Sequence, residues 1–185
     1  MKATGILVRE HELILQMLKQ LSIARDKLER NEKVSQLFFE KTVLFSRNFA
    51  DKFHHFKEEF LMFGILADKK NGTLDVEIGA LRYQHEQCRN CITEITRALD
   101  SYLRDDEIAA TTLLENVSAY ISMLRRHIYM EDQIFFPMVD KLLTVEEQKM
   151  LLDQFKNEEE RIGAKEGFEP SRQLLSEITL IMMAS

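Results

Sequence analysis

The histidine and glutamate residues of this chain form a spaced pattern that occurs twice. The sequence of 185 residues has five histidines, and three of them (His54, His55 and His127) precede a glutamate by four residues. Residues at i and i+4 lie on the same face of a helix, so each such imidazole and carboxylate point the same way. Each half of the chain thus offers one lone histidine and one His-x-x-x-Glu motif: His11 with His54 and Glu58, then His85 with His127 and Glu131.

The motif of the first half allows two registers. His54-His55 is followed by two glutamates, and both possible pairings have the i, i+4 spacing. We choose His54 and Glu58, because a phenylalanine stands five residues after Glu58, as one does after Glu131. His55 and Glu59 then lie about 100° further round an α-helix, and we expect both to be partly exposed.

The chain has few residues that break helices. Six Gly and two Pro in 185 residues argue against an all-β fold, which needs many turns. A loop is clearest at 68–73, an aspartate of the pair Asp105-Asp106 is suited to cap the next helix, and Thr144 with Glu147 forms a capping-box pattern. Apolar residues at three- and four-residue spacing predict helices at 5–29, 33–67, 74–103, 107–141, 145–161 and 171–183.

The first four helices form an up-down-up-down bundle in this prediction, because their connections are short. Residues 1–143 are the bundle, and residues 144–185 are a C-terminal helical extension packed on it. Gly163, Gly167 and Pro170 are expected to break the chain within the extension. Counting residues on the two sides of each turn places all four histidines and both glutamates of the repeated pattern at one level of the bundle.

Such a cluster of imidazoles and carboxylates is costly to bury unless it binds something, and a metal is the simplest ligand. Six donors are too many for one tetrahedral zinc ion, but they suit two six-coordinate ions bridged by the carboxylates. The mixed nitrogen and oxygen set fits iron or manganese, and the softness of the donors leaves cobalt and other metals open as well. A ferritin-like Glu-x-x-His site is absent, because the residues three before the histidines are Val8, Asp51, Lys52, Arg82 and Leu124.

Composition excludes several other classes of protein. A net charge of −6 without a basic block disfavours nucleic-acid binding. No apolar run approaches the ~18 residues of a membrane span, and the N-terminus lacks a signal-peptide core. Cys88 and Cys91 are too few for a disulfide framework, and their mid-helix position favours a packing role over redox chemistry. We therefore expect a cytoplasmic protein, either a monomer or a homodimer.

The residues from about 4 to 140 resemble the hemerythrin family, specifically its hemerythrin-like (HHE) domains with four histidines and two glutamates. The segments 58–64 and 131–137 are similar to the Glu-x-x-x-Leu-Phe-Pro segment of that family. The resemblance implies a four-helix bundle with two non-haem iron ions joined by an oxo or hydroxo bridge. It also implies four terminal imidazole ligands and two bridging carboxylates: His11, His54, His85, His127, Glu58 and Glu131.

The sequence differs from the oxygen-carrying hemerythrins, which have a fifth histidine in a His-x-x-x-His motif on the third helix. Here Leu81 and Arg89 stand four residues either side of His85. The resemblance implies a protein that binds O₂, NO or peroxide, and we favour this over an enzyme. Two alternatives stay open: a di-iron oxidoreductase or iron–sulfur repair protein of nitrosative or oxidative stress, and an iron- or oxygen-responsive regulatory module. The repair proteins usually add an N-terminal Cys-bearing domain, which we do not expect before His11.

Overall fold

The computed structural model describes residues 2–67, 69, 72, 74–104 and 106–184, without the side chains of residues 163–166. Its α-helices are α1 (Thr4–Glu29), α2 (Gln36–Phe45), α3 (Phe63–Ala67), α4 (Asp75–Tyr102), α5 (Glu107–Met130), α6 (Phe136–Leu142), α7 (Val145–Glu166) and α8 (Phe168–Ala184). Three segments have π-helical hydrogen bonding: π1 (Ser46–His55), π2 (Lys57–Met62) and π3 (Glu131–Phe135).

These segments form the predicted all-α four-helix bundle, which is confirmed. Its helices are α1, then α2 to α3 with π1 and π2 between them, then α4, then α5 to α6 with π3 between them. The bounds of these four helices agree with the prediction to within a few residues. The predicted loop at 68–73 lies partly outside the described residues.

The π-helical segments were not predicted. A π-helix bonds each N–H to the carbonyl five residues earlier, and such segments occur mostly as short insertions at functional sites. Here π1 and π2 carry His54 and Glu58, and π3 begins at Glu131. The backbone is therefore irregular at the level where the repeated motif lies.

The predicted breaks at Gly163 and Pro170 are wrong. Helix α7 continues to Glu166, and Gly167 alone separates it from α8. A glycine inside a helix costs only about 1 kcal/mol, which neighbouring turns can offset. Pro170 lies in the first turn of α8, where its missing N–H has no carbonyl partner to lose.

Two apolar clusters fill the bundle, one on each side of the histidine level. On α1, Leu7 belongs to one cluster and Leu13 to the other, with His11 between them. On α4, Leu81 and Cys88 stand on either side of His85 in the same way. The polar level is thus enclosed by apolar side chains above and below.

The C-terminal helices contact both clusters. Leu175, Ile178 and Met182 of α8 are buried in the cluster that contains Leu13. Leu151 and Phe155 of α7 are buried in the cluster that contains Leu7. These helices therefore contribute to the core, while the division into domains at residue 143 stays a prediction.

Among the described residues, no helix has the length and apolar character needed to cross a membrane. The cytoplasmic location stays a prediction.

Both predicted helix caps are confirmed. The Asp106 carboxylate accepts hydrogen bonds from the backbone N–H groups of Ile108 and Ala109 at the start of α5. At the start of α7, the Thr144 hydroxyl accepts from the Glu147 N–H at 3.2 Å, and the Glu147 carboxylate accepts from the Thr144 N–H at 2.7 Å. Each cap satisfies backbone donors that have no partner within the helix.

We expect Thr144→Ala to lower the free energy of unfolding by about 1 kcal/mol, because it removes the hydroxyl acceptor of this cap. Urea unfolding followed by circular dichroism measures the change. Thr144→Ser is the control, since it keeps the hydroxyl and should lose much less. Equal stability of the alanine variant and the parent protein would contradict the assigned role of the cap.

Candidate metal centre

The structure brings the six predicted residues together in two groups of side chains suited to hold metal ions. Within each group, one nitrogen or carboxylate oxygen per residue lies within 4.8 Å of the others. Glu58 belongs to both groups, so the groups adjoin. The first group is His11, His54, Glu58 and Glu131, and the second is His55, Glu58, His85 and His127.

The two glutamates lie between the histidines of the two halves of the chain. Glu58 Oε1 is 3.6 Å from His54 Nε2, and Glu58 Oε2 is 3.4 Å from His85 Nε2. Glu131 Oε2 is 3.0 Å from His127 Nε2 and 3.3 Å from His11 Nε2. Each carboxylate thus contacts one imidazole of the first group and one of the second, as a bridging ligand must.

All these side chains are buried, with at most 3% of any residue exposed. Within the described part of the chain, both carboxylate oxygens of Glu58 and of Glu131 have no hydrogen-bond partner, and neither has Nε2 of His11 or of His54. Buried polar atoms are nearly always paired, so such a cluster needs an explanation. Cations bound between these donors would supply one, and the nitrogen and oxygen donor set fits iron.

Each predicted histidine ligand is oriented by a hydrogen bond from its other ring nitrogen, Nδ1. The acceptor lies on a neighbouring helix in every case, at 2.6–2.9 Å. With Nδ1 engaged, Nε2 is left to face the centre, an arrangement usual for histidine metal ligands. The donor–acceptor pairs are His54 with Glu10, His85 with Glu59, His127 with Gln84, and His11 with Asp132.

These four hydrogen bonds form a closed cycle around the bundle. Glu10 on the first helix orients a histidine of the second, Glu59 on the second orients one of the third, and so on until Asp132 on the fourth orients His11. These four acceptors were not predicted from the sequence. One feature of the sequence could have indicated them: each acceptor stands directly beside a predicted ligand, for example Glu10 before His11.

The prediction that His55 is partly exposed is wrong. His55 is only 3% exposed, and its ring stacks on His85 with the centroids 3.8 Å apart. The prediction used the angular step of an α-helix, whereas His55 ends π1, where each residue turns the chain by a smaller angle. His54 and His55 therefore both face the interior. Glu59 is partly exposed, as predicted.

Lys57 is a buried cation beside the first group, and it too was not predicted from the sequence. Its ammonium is 2.5 Å from Glu10 Oε1 and 2.7 Å from Oε1 of Glu159 on α7. It also lies 3.7 Å from the centre of the Phe53 ring. Since Glu10 accepts from His54, a continuous series of polar contacts connects α7 to the candidate centre.

The two buried carboxyl groups have opposite pKa shifts. Burial, together with the charge of Glu131, raises the pKa of Glu58 well above its usual range. Burial also acts to raise the pKa of Glu131, but His127 and His11 hold that pKa well below the usual range. Burial opposes protonation of His11, yet its hydrogen bond to Asp132 and the nearby Glu131 carboxylate raise the pKa of His11 to about 9.

A cavity of about 300 Å³ adjoins the second group at His55. Ala50, Cys88, Ile92 and Tyr120 line its buried part. Burial raises the pKa of Cys88 to about 12, so its thiol stays protonated near neutral pH. Cys88 and Cys91 are both buried and free, in keeping with the predicted packing role.

Comparison with known proteins gives one family and a few relatives. The family model for the hemerythrin HHE cation binding domain matches residues 2–139. Uncharacterized proteins of Mycobacterium tuberculosis and Mycobacterium bovis are 25% identical over 163 residues, which is 88% of this chain. The chain spans 63% of the length of these relatives. No solved structure matches the chain significantly.

We expect metal binding near pH 7 to release about one proton per protein from His11, because a cation displaces it from the donor nitrogen. Isothermal titration calorimetry in buffers of different ionisation enthalpy measures this number. The sign of the pH effect follows from the raised pKa of His11: its proton is bound below about pH 9 and lost above it. The release should therefore decrease towards about pH 10, and a heat independent of the buffer would contradict the prediction.

We expect Asp132→Ala to weaken metal binding by about 10- to 100-fold, because His11 loses the acceptor that orients its ring. Competition with a chromophoric chelator measures the affinity. Glu12→Ala is the control, since Glu12 also stands beside His11 in the sequence but is exposed. Equal affinities of the two variants would show that the hydrogen bond does not orient the ligand.

Proposed function

The chain belongs to the hemerythrin HHE cation-binding domain family, and we propose that it holds two non-haem iron ions and binds O₂, NO or peroxide at them. In this proposal His11, His54, His85 and His127 are terminal ligands. Glu58 and Glu131 bridge the two ions and offset their charge.

The observation that carries the proposal is the sharing of Glu58 by two adjoining groups of donors. A single metal ion would need one group, whereas a carboxylate with one oxygen facing each group is suited to join two ions. Zinc prefers four donors in a tetrahedron, and the donors here exceed that number. Imidazole and carboxylate together suit iron, and manganese is the alternative that metal analysis distinguishes.

The protein's own residues set the conditions under which the iron ions work. The cycle of Nδ1 hydrogen bonds fixes the imidazole rings, and the apolar clusters on both sides restrict water. A small ligand without charge, such as O₂ or NO, crosses such surroundings at little cost, while an ion must lose its hydration. When bound, the iron ions supply the redox chemistry, and the chain supplies orientation and access.

A second candidate function is that of an iron- or oxygen-responsive regulatory module. The contacts from His54 through Glu10 and Lys57 to Glu159 favour it, because they join the candidate centre to α7. A change of charge at the centre alters the electrostatic environment of Lys57 and hence its attraction for Glu159. Helix α7 lies outside residues 2–139, the part that matches the family.

Anaerobic loading with ferrous iron, followed by elemental analysis and stopped-flow spectroscopy with O₂ and NO, tests the proposal. We expect about two irons per chain and a change of optical spectrum with NO. Glu58→Ala should lose both irons, because its carboxylate serves both groups. Glu86→Ala is the control, since Glu86 stands beside His85 but is exposed.

The outcomes separate the alternatives. One zinc and no affinity for iron would refute the di-iron proposal. Two irons without reaction towards O₂ or NO would refute ligand binding and leave the regulatory candidate. Steady turnover of peroxide or O₂ with an added reductant would instead favour the oxidoreductase alternative.

A further inference from the structure

We propose that His55 is a fifth imidazole ligand of the centre, at the metal position that it shares with Glu58, His85 and His127. This inference rests on the proposed function, since it requires metal at the centre. It assigns to the second helix two consecutive histidine ligands, one for each metal position.

The surroundings of His55 are those of a ligand. One of its ring nitrogens lies within 4.8 Å of the donor atoms of Glu58, His85 and His127. Within the described ranges of the chain, neither of its ring nitrogens has a hydrogen-bond partner, although the residue is 97% buried. A histidine that only fills space would leave two polar atoms unsatisfied, which costs free energy.

The nearest alternative partner of His55 is Asp51, one turn earlier on the same helix. Its Oδ1 is 3.5 Å from His55 Nδ1, which is longer than a normal hydrogen bond. That carboxylate is already engaged by Arg89, at 2.7–2.8 Å. Asp51 therefore does not explain the burial of the imidazole, but it lies on the correct side to orient the ring from Nδ1, as the acceptors of the other four histidines do.

The backbone conformation gives a second, independent reason to assign His55 as a ligand. Neighbouring residues of an α-helix lie about 100° apart, so they cannot both serve one interior site well. Segment π1 ends at His55 and π2 begins at Lys57, so the wider π turns cover this stretch. The result is that His54 enters the first group and His55 the second. Segments of this kind occur mostly at functional sites.

The inference makes the two metal positions unequal. The first group has the imidazoles of His11 and His54, whereas the second has those of His55, His85 and His127. The carboxylates of Glu58 and Glu131 serve both positions in the proposed function. The fifth histidine of the oxygen carriers comes from the third helix. Here the second helix supplies it, and the leucine and arginine around His85 on the third helix do not exclude a five-histidine centre.

The cavity beside His55 provides a sharp test. His55 forms part of its wall, together with buried Ala50 and Ile92, and exposed Arg47 and Lys52 lie on the cavity lining towards solvent. Removing the His55 side chain therefore opens the cavity into the second group. Free imidazole added to the solution can then occupy the place of the lost ring.

The experiment compares His55→Ala with His54→Ala after anaerobic loading with ferrous iron. We expect His55→Ala to fall from about two irons per chain to about one, and free imidazole to restore the second iron and the parent optical spectrum. His54→Ala is the matched control: it also removes an imidazole from this stretch, but His54 does not line the cavity. Free imidazole should not restore the iron that His54→Ala loses.

The possible failures are distinguishable. A parent protein that binds no iron overturns the proposed function. Two irons in the parent and an unchanged His55→Ala overturn this inference alone, as does a lost iron that free imidazole fails to restore. If His55→Ala does not fold, X-ray absorption of the parent decides, since five imidazoles over two irons give an average of about 2.5 per iron and four give about 2.

Discussion

Two carboxylates buried without hydrogen-bond partners are the constraint on which this structure depends. Glu58 and Glu131 lie in the interior of a four-helix bundle, among imidazoles and between two apolar clusters. A buried ionised carboxylate costs several kcal/mol unless opposite charge compensates it. The opposed pKa shifts of the pair show the same conflict, because the pKa of Glu58 is raised by burial and by the charge of Glu131, while the pKa of Glu131 is lowered by His127 and His11. Metal cations held between these groups would resolve it.

The need for cations beside these carboxylates also explains the cycle of hydrogen bonds around the centre. An imidazole can serve a metal only if the correct nitrogen is free, and the acceptor on Nδ1 decides which nitrogen that is. Each acceptor lies on a neighbouring helix, so the cycle joins all four helices at the ligand level. The same side chains therefore fix both the geometry of the centre and the rotation of the helices relative to one another.

Much of this arrangement could be predicted from the sequence, and the reasons for the failures are physical. The i, i+4 spacing and the residue counts across each turn depend only on helix geometry, and they brought the predicted histidines and glutamates to one level. The position of His55 depends on π-helical turns, which apolar periodicity cannot indicate. The acceptors such as Glu10 and Asp132 depend on which helices are neighbours and on their rotation, and the sequence pattern of one helix does not contain that information.

Lys57 connects the C-terminal helix α7 to the candidate metal centre. It stands next to Glu58 in the sequence, so the second helix presents a carboxylate to the centre and an ammonium to α7 from adjacent residues. That ammonium is fully buried between Glu10 and Glu159, and removing one partner of a buried ion pair is more costly than exchanging the whole pair. Glu10 is shared, because it also accepts from His54. Helix α7 and the ligand set therefore stabilise each other through one lysine, although only the ligand set lies within the part of the chain that matches the family.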